Sequence, residues 1–132
     1  MSKLQYTHEG RSIPYAKNLG ELMGAVDKAM LSLYGRGISF YATKDRHREI
    51  ADVRNMAMCI AWEFSRGTLK DISAYFNRNH ATMCCSMNNV KDMRALYPSY
   101  EANYQKLKTK IYEICEKESI LLGGLGLSSA SR

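Results

Sequence analysis

The stretch from Arg48 to Met93, REIADVRNMAMCIAWEFSRGTLKDISAYFNRNHATMCCSMNNVKDM, restricts the fold more than any other part of this chain. Ile50, Val53, Ala57, Ile60, Ala61 and Phe64 recur at helical spacing, and Gly67 is placed to end that helix. Arg54 falls off this stripe and is expected to reach outward; Trp62, also off it, is expected to pack on another element or stay partly exposed. Thr68 can cap a second, short helix, with Asp71 at its third position and Leu69, Ile72 and Phe76 turned inward. Asn77 and Arg78 form a tight turn, and Asn79 suits the N-cap of a third helix. On that helix Met83, Cys84, Met87 and Val90 share an inward face. His80, Ala81, Thr82, Cys85, Ser86 and Asn89 are left outside. A long helix, a short one, a tight turn and a third helix are the pattern of a helix-turn-helix, whose second member enters the DNA major groove.

The flanking sequence supplies more helices. Asn18 with Glu21 forms a capping-box start, and Leu19, Leu22, Met23, Val26, Ala29, Met30 and Leu33 continue an amphipathic helix that Gly35 and Gly37 stop near Tyr34. Residues 38–43, ISFYAT, are a short link rich in β-formers. Pro98 opens a last helix in which Tyr100, Tyr104, Leu107, Ile111 and Ile114 alternate at spacings of four and three. That stripe either packs back on the N-terminal helix or forms a seam with a second copy, giving a homodimer. Residues 1–17 read as a loosely ordered arm and 123–132, rich in Gly and Ser, as a flexible tail, leaving one all-α domain over 18–122.

Charge narrows the partner. The 132-residue chain carries a net +6, and residues 36–94 hold ten Lys/Arg against six Asp/Glu, a local surplus of four. The surplus coincides with the three-helix stretch and favours a polyanion. The four cysteines at 59, 84, 85 and 115 form no CxxC pair and read as reduced thiols of a cytoplasmic protein. The opening residues lack the apolar run of a signal peptide, and nothing approaches a membrane span. No GxxxxGK[ST] loop occurs, so no nucleotide is expected. His8, His47 and His80 are scattered, with no Cys/His ligand pair and no paired carboxylates. No catalytic residue, metal or cofactor is therefore expected, and no enzyme.

RNMAMCIAWEF (54–64), TLKDISAYF (68–76) and RNHATMCCSMNNVKDM (78–93) resemble the C-terminal DNA-binding domain of DnaA, the bacterial replication initiator. The likeness spans about residues 45–94 and implies a helix-turn-helix trio of the kind also found in the Trp repressor. It places Arg54 at a minor groove, Arg78 at the family's signature arginine, and Asn79, His80, Ala81 and Thr82 at its base-reading positions. Thr68 falls where the short helix meets a phosphate. The sequence departs from the family pattern in a turn one residue shorter, FNRNH in place of FGGRDH. Asn79 also replaces an aspartate, which trades a cytosine acceptor for an amide suited to adenine N6/N7. Ala81 replaces a threonine. The family's ATPase domain has no counterpart here, so ATP-driven origin melting is not expected. Small proteins of this kind look like phage or mobile-element products.

The reading that follows is a sequence-preferring double-stranded DNA-binding protein, a transcriptional regulator or accessory replication factor. Asn79, His80, Ala81, Thr82, Ser86 and Arg54 would contact bases. Arg46, Arg48, Arg66, Thr68, Lys70, Arg78 and Lys91 would hold phosphates. His80 is also open to a plain capping role, and Arg54 to a surface pair with Glu49 or Asp52. The alternative is a structural or protein-interaction protein, such as a phage assembly component, that keeps the fold without reading DNA.

Overall fold

The computed structural model describes residues 14–16, 18–42, 47–65 and 69–123. In chain order these form strand β1 (Pro14–Ala16), helices α1 (Leu19–Tyr34), α2 (Ile38–Tyr41), α3 (Arg48–Glu63), α4 (Leu69–Tyr75), α5 (His80–Leu96) and α6 (Pro98–Lys117), and strand β2 (Leu121–Gly123). The structure is mostly helical, and no described helix is long and apolar enough to cross a membrane.

The ends of α1 follow the sequence signals. Asn18 accepts from the Glu21 backbone N–H at 3.0 Å, and Gly35, at φ 77°, closes the helix in the left-handed region. Within the ISFYAT link, Ile38–Tyr41 folds as one helical turn. Its N-terminus is held by Asp27, whose Oδ1 accepts from the Ile38 N–H at 2.7 Å.

Helix α3 is the centre of the fold, in contact with α1, α2, α4, α5 and α6. It therefore buries far more than a stripe: Arg54 and the whole run Met56–Ala61 are inside. The helix ends at Glu63, with Phe64 as its cap, before Gly67 is reached. Gly67 itself lies outside the described residues.

Helix α6 packs back along α1, and Lys28 pairs with Glu118 at 2.6 Å across them. Tyr100, Tyr104, Leu107 and Ile111 are buried where α6 packs on α1, α3 and α5, and Ile114 is half-buried. The stripe that offered a homodimer seam is thus spent inside one chain. The α5–α6 joint is a single residue, Tyr97, held extended at φ −123° and ψ 108° by the proline that follows. Arg94 clamps this corner. It donates two hydrogen bonds to Glu101, one of them 3.1 Å long, and its guanidinium lies 3.9 Å from the Tyr104 ring centroid. The paired guanidinium holds the Glu101 carboxyl below its ordinary range. Glu63 ties α3 to α6 by accepting from the Tyr104 hydroxyl and from Lys108 Nζ, the latter at 2.7 Å.

The first and last described elements meet. β1 and β2 pair antiparallel, Tyr15 opposite Leu122, and the Ala16 N–H donates to Phe64 O at 2.6 Å. Residues 14–16, expected in a loose arm, and Gly123, expected in the tail, are thus paired as strands, with Leu121 and Leu122 inside the expected domain. Residues 1–13, 17 and 124–132 lie outside the described residues.

Candidate nucleic-acid interface

The surface in question is built from α4, residues 76–79 and the N-terminal half of α5. Helix α4 lies against both α3 and α5, and Ile72 and Phe76 are fully buried. The chain reverses at Asn77, whose φ of 57° is in the left-handed region that asparagine tolerates better than most residues. The Asn77 N–H donates to Ala74 O and the Arg78 N–H to Ser73 O, so two of the last α4 carbonyls are satisfied inside the turn.

Asn79 caps α5, its Oδ1 accepting from the Thr82 N–H at 2.8 Å. The cap occupies one lone pair of Oδ1 and fixes the side chain against the helix start, while the Asn79 amide NH2 remains a donor. His80 accordingly has no capping role. Replacing Asn79 with alanine is expected to cost about 1 kcal/mol of stability, while aspartate keeps most of it. Urea denaturation checks this, and an unchanged midpoint for Asn79→Ala contradicts it.

Met83, Met87 and Val90 anchor α5 to the core. At 100° per residue, Ala81, Cys85 and Asn88 form the crest opposite that face. His80, Cys84 and Lys91 line one flank, and Thr82 and Asn89 the other. All of these are exposed except Cys84, which is half-buried, as is Ser86. Thus His80, Ala81, Thr82 and Asn79 share one open surface, with Ser86 lower on its side. No acidic side chain occurs from 79 to 91.

Arg54 does not join them. It is 6 % exposed, and Nη1 donates to Tyr41 O at 3.3 Å. The one-turn helix α2 thereby gives one of the guanidinium donors a carbonyl acceptor. The outward position expected from its place off the apolar stripe, and with it the minor-groove contact, is corrected by this burial. Among the phosphate candidates, Lys70 and Lys91 are exposed. Arg48 is exposed beside Asp52 at 3.8 Å, and Arg78 is half-buried with Nη1 donating to Asn77 O at 3.1 Å. Arg46, Arg66 and Thr68 lie outside the described residues.

Two features escaped the sequence reading. His80 and Cys84, one helical turn apart, bring Nε2 and Sγ to 3.9 Å, although no Cys/His ligand pair was expected. Among the described residues no group of three possible metal ligands converges. The second is an open groove between α3, α5 and α6, lined by Cys59, Trp62, Lys91 and the Arg94–Glu101 and Glu63–Lys108 pairs. Trp62, half-buried, forms part of its wall.

The four thiols divide sharply. Burial pushes Cys59 and Cys115 up to about 12, whereas Cys85 is exposed. Maleimide labelling of the native protein is expected to take Cys85 first and Cys84 next, sparing Cys59 and Cys115 until denaturant is added. Reaction of Cys59 at the rate of Cys85 would show that the α3 packing opens.

Comparison with protein-family models, with curated proteins and with solved structures finds no match for this chain.

Proposed function

We propose that this protein binds double-stranded DNA with sequence preference, acting as a transcriptional regulator or accessory replication factor. On this reading α4, the Asn77 turn and α5 work as a helix-turn-helix like that of the DnaA C-terminal domain. The N-terminal half of α5 enters the major groove. The observation that carries the proposal is the crest of α5: small exposed side chains, no acid from 79 to 91, and an exposed lysine, Lys91, on its flank. Solvated helices ordinarily carry Glu and Lys on such a face; base edges and phosphates instead favour short donors and positive charge.

Asn79 Nδ2, His80 and Thr82 stand nearest the groove floor in this arrangement, and Ala81 offers a methyl contact to thymine. Lys70, Lys91, Arg78 and Arg48 hold phosphates on either side. Four such contacts give log K a slope of about −3.6 against log salt. Fluorescence anisotropy of a labelled duplex across a salt series measures it. A slope near zero, or no binding at low salt, contradicts the proposal.

A second reading has one observation in its favour. Leu96 and Tyr97, 67 % and 50 % exposed, stand out at the α5–α6 corner, on a surface that a protein partner could cover. A structural or assembly role would use that corner and leave the α5 crest idle.

A further inference from the structure

We infer that His80 and Cys84 form a two-ligand site for a zinc-class divalent cation, and that the bound ion competes with DNA for α5. The competition rests on the DNA-binding reading; the ion site does not.

The geometry supplies the argument. A tetrahedral zinc ion, with bonds of about 2.1 Å to nitrogen and 2.3 Å to sulfur, separates the two donor atoms by about 3.6 Å. Nε2 and Sγ already stand 3.9 Å apart, so a small torsional change in either side chain closes the bite. The i, i+4 step fixes both ligands on one rigid helix, anchored by Met83 and Met87 below them. Neither donor is spent on the core, since His80 is exposed and Cys84 only half-buried. Imidazole and thiolate together suit a borderline-soft ion and not magnesium or calcium. No carboxylate lies on α5 before Asp92, about two turns beyond Cys84.

Binding forms one metal–nitrogen and one metal–sulfur bond. The thiol proton of Cys84 passes to solvent and the histidine contributes the lone pair of Nε2, its proton resting on Nδ1. Two positions on the ion remain open to water, so it is held exchangeably. Its seat on His80 takes one of the groove-facing side chains out of service and adds a hydrated ion at the helix start.

The first test titrates the full chain with cobalt(II) and follows the sulfur-to-cobalt charge-transfer absorption. A saturable 1:1 band is expected, lost in His80→Ala and in Cys84→Ser and kept in Cys85→Ser. Absence of the band, or a band that survives Cys84→Ser, overturns the site. This arm needs no DNA, so its failure is separable from failure of the DNA-binding reading. The second test measures duplex binding with zinc present. At a zinc concentration about ten times its own dissociation constant, the apparent Kd for DNA is expected to rise about tenfold, and Cys84→Ser to abolish the rise. An unchanged Kd with the ion bound overturns the competition.

Discussion

Replacing Phe76 with alanine is expected to destabilise the protein by about 3–5 kcal/mol, a large share of the stability of a domain this size. Phe76 is fully buried directly behind the turn, and its N–H donates to Ser73 O as α4 ends. It belongs to the same buried core as Ile72 and Met83, both also without exposure, at the end of a helix that packs on α3 and α5. The next residue, Asn77, is committed to a left-handed conformation, so the backbone cannot slide to fill the void. Little collapse means a large cavity term. Equilibrium urea unfolding of the purified variant reads the loss directly. A cost under about 1 kcal/mol would show that the turn relaxes, and that the relation of α4 to α5 is not fixed by this side chain. Loss of DNA binding should accompany the destabilisation only as far as the protein unfolds.

Reversing charge at Lys70 and Lys91 together is expected to have the converse signature, leaving the fold intact and weakening DNA binding sharply. Both side chains are exposed, so the double variant should stay within about 0.5 kcal/mol of the parent in stability. Two lost phosphate contacts should flatten the slope of log K against log salt by about 1.8. Because the new glutamates also repel the backbone, the fall in affinity is steepest at low salt. Unfolding midpoints and anisotropy salt series on the same samples separate the two effects. An unaltered slope places the phosphates elsewhere on the molecule.

Much of this was legible because it is local. Asn18, Gly35, Asn79 and Pro98 announce helix ends through hydrogen bonds and backbone limits that act within a few residues, and each is found where expected. The inward set Met83, Met87 and Val90 follows from the helical period alone.

Arg54 lies off the apolar stripe yet is buried because α3 is in contact with five helices and so has more than one buried face. The run Met56–Ala61 carried that signal, being apolar nearly all round, a mark of a buried helix. The carbonyl that accepts from Arg54 comes from Tyr41, in a one-turn helix whose existence depends on Asp27, eleven residues before Ile38. No short-range pattern connects those residues. The pairing of Tyr15 with Leu122 is similarly hidden, since strands of three residues leave no periodicity to read. His80 and Cys84 were in plain view at a spacing of four. The helical period puts Cys84 on the inward face and His80 outside, whereas Cys84 lies at the edge of that face, half-buried and within reach of His80.

On the proposed function, α5 reads base sequence. Selection from a random duplex pool at moderate salt, with wild type and His80→Ala run side by side, tests it most directly. Enrichment of one motif by the wild type, degraded or lost in the variant, is the predicted result. A pool that yields no motif, or the same motif with equal enrichment for both proteins, would contradict base reading through α5.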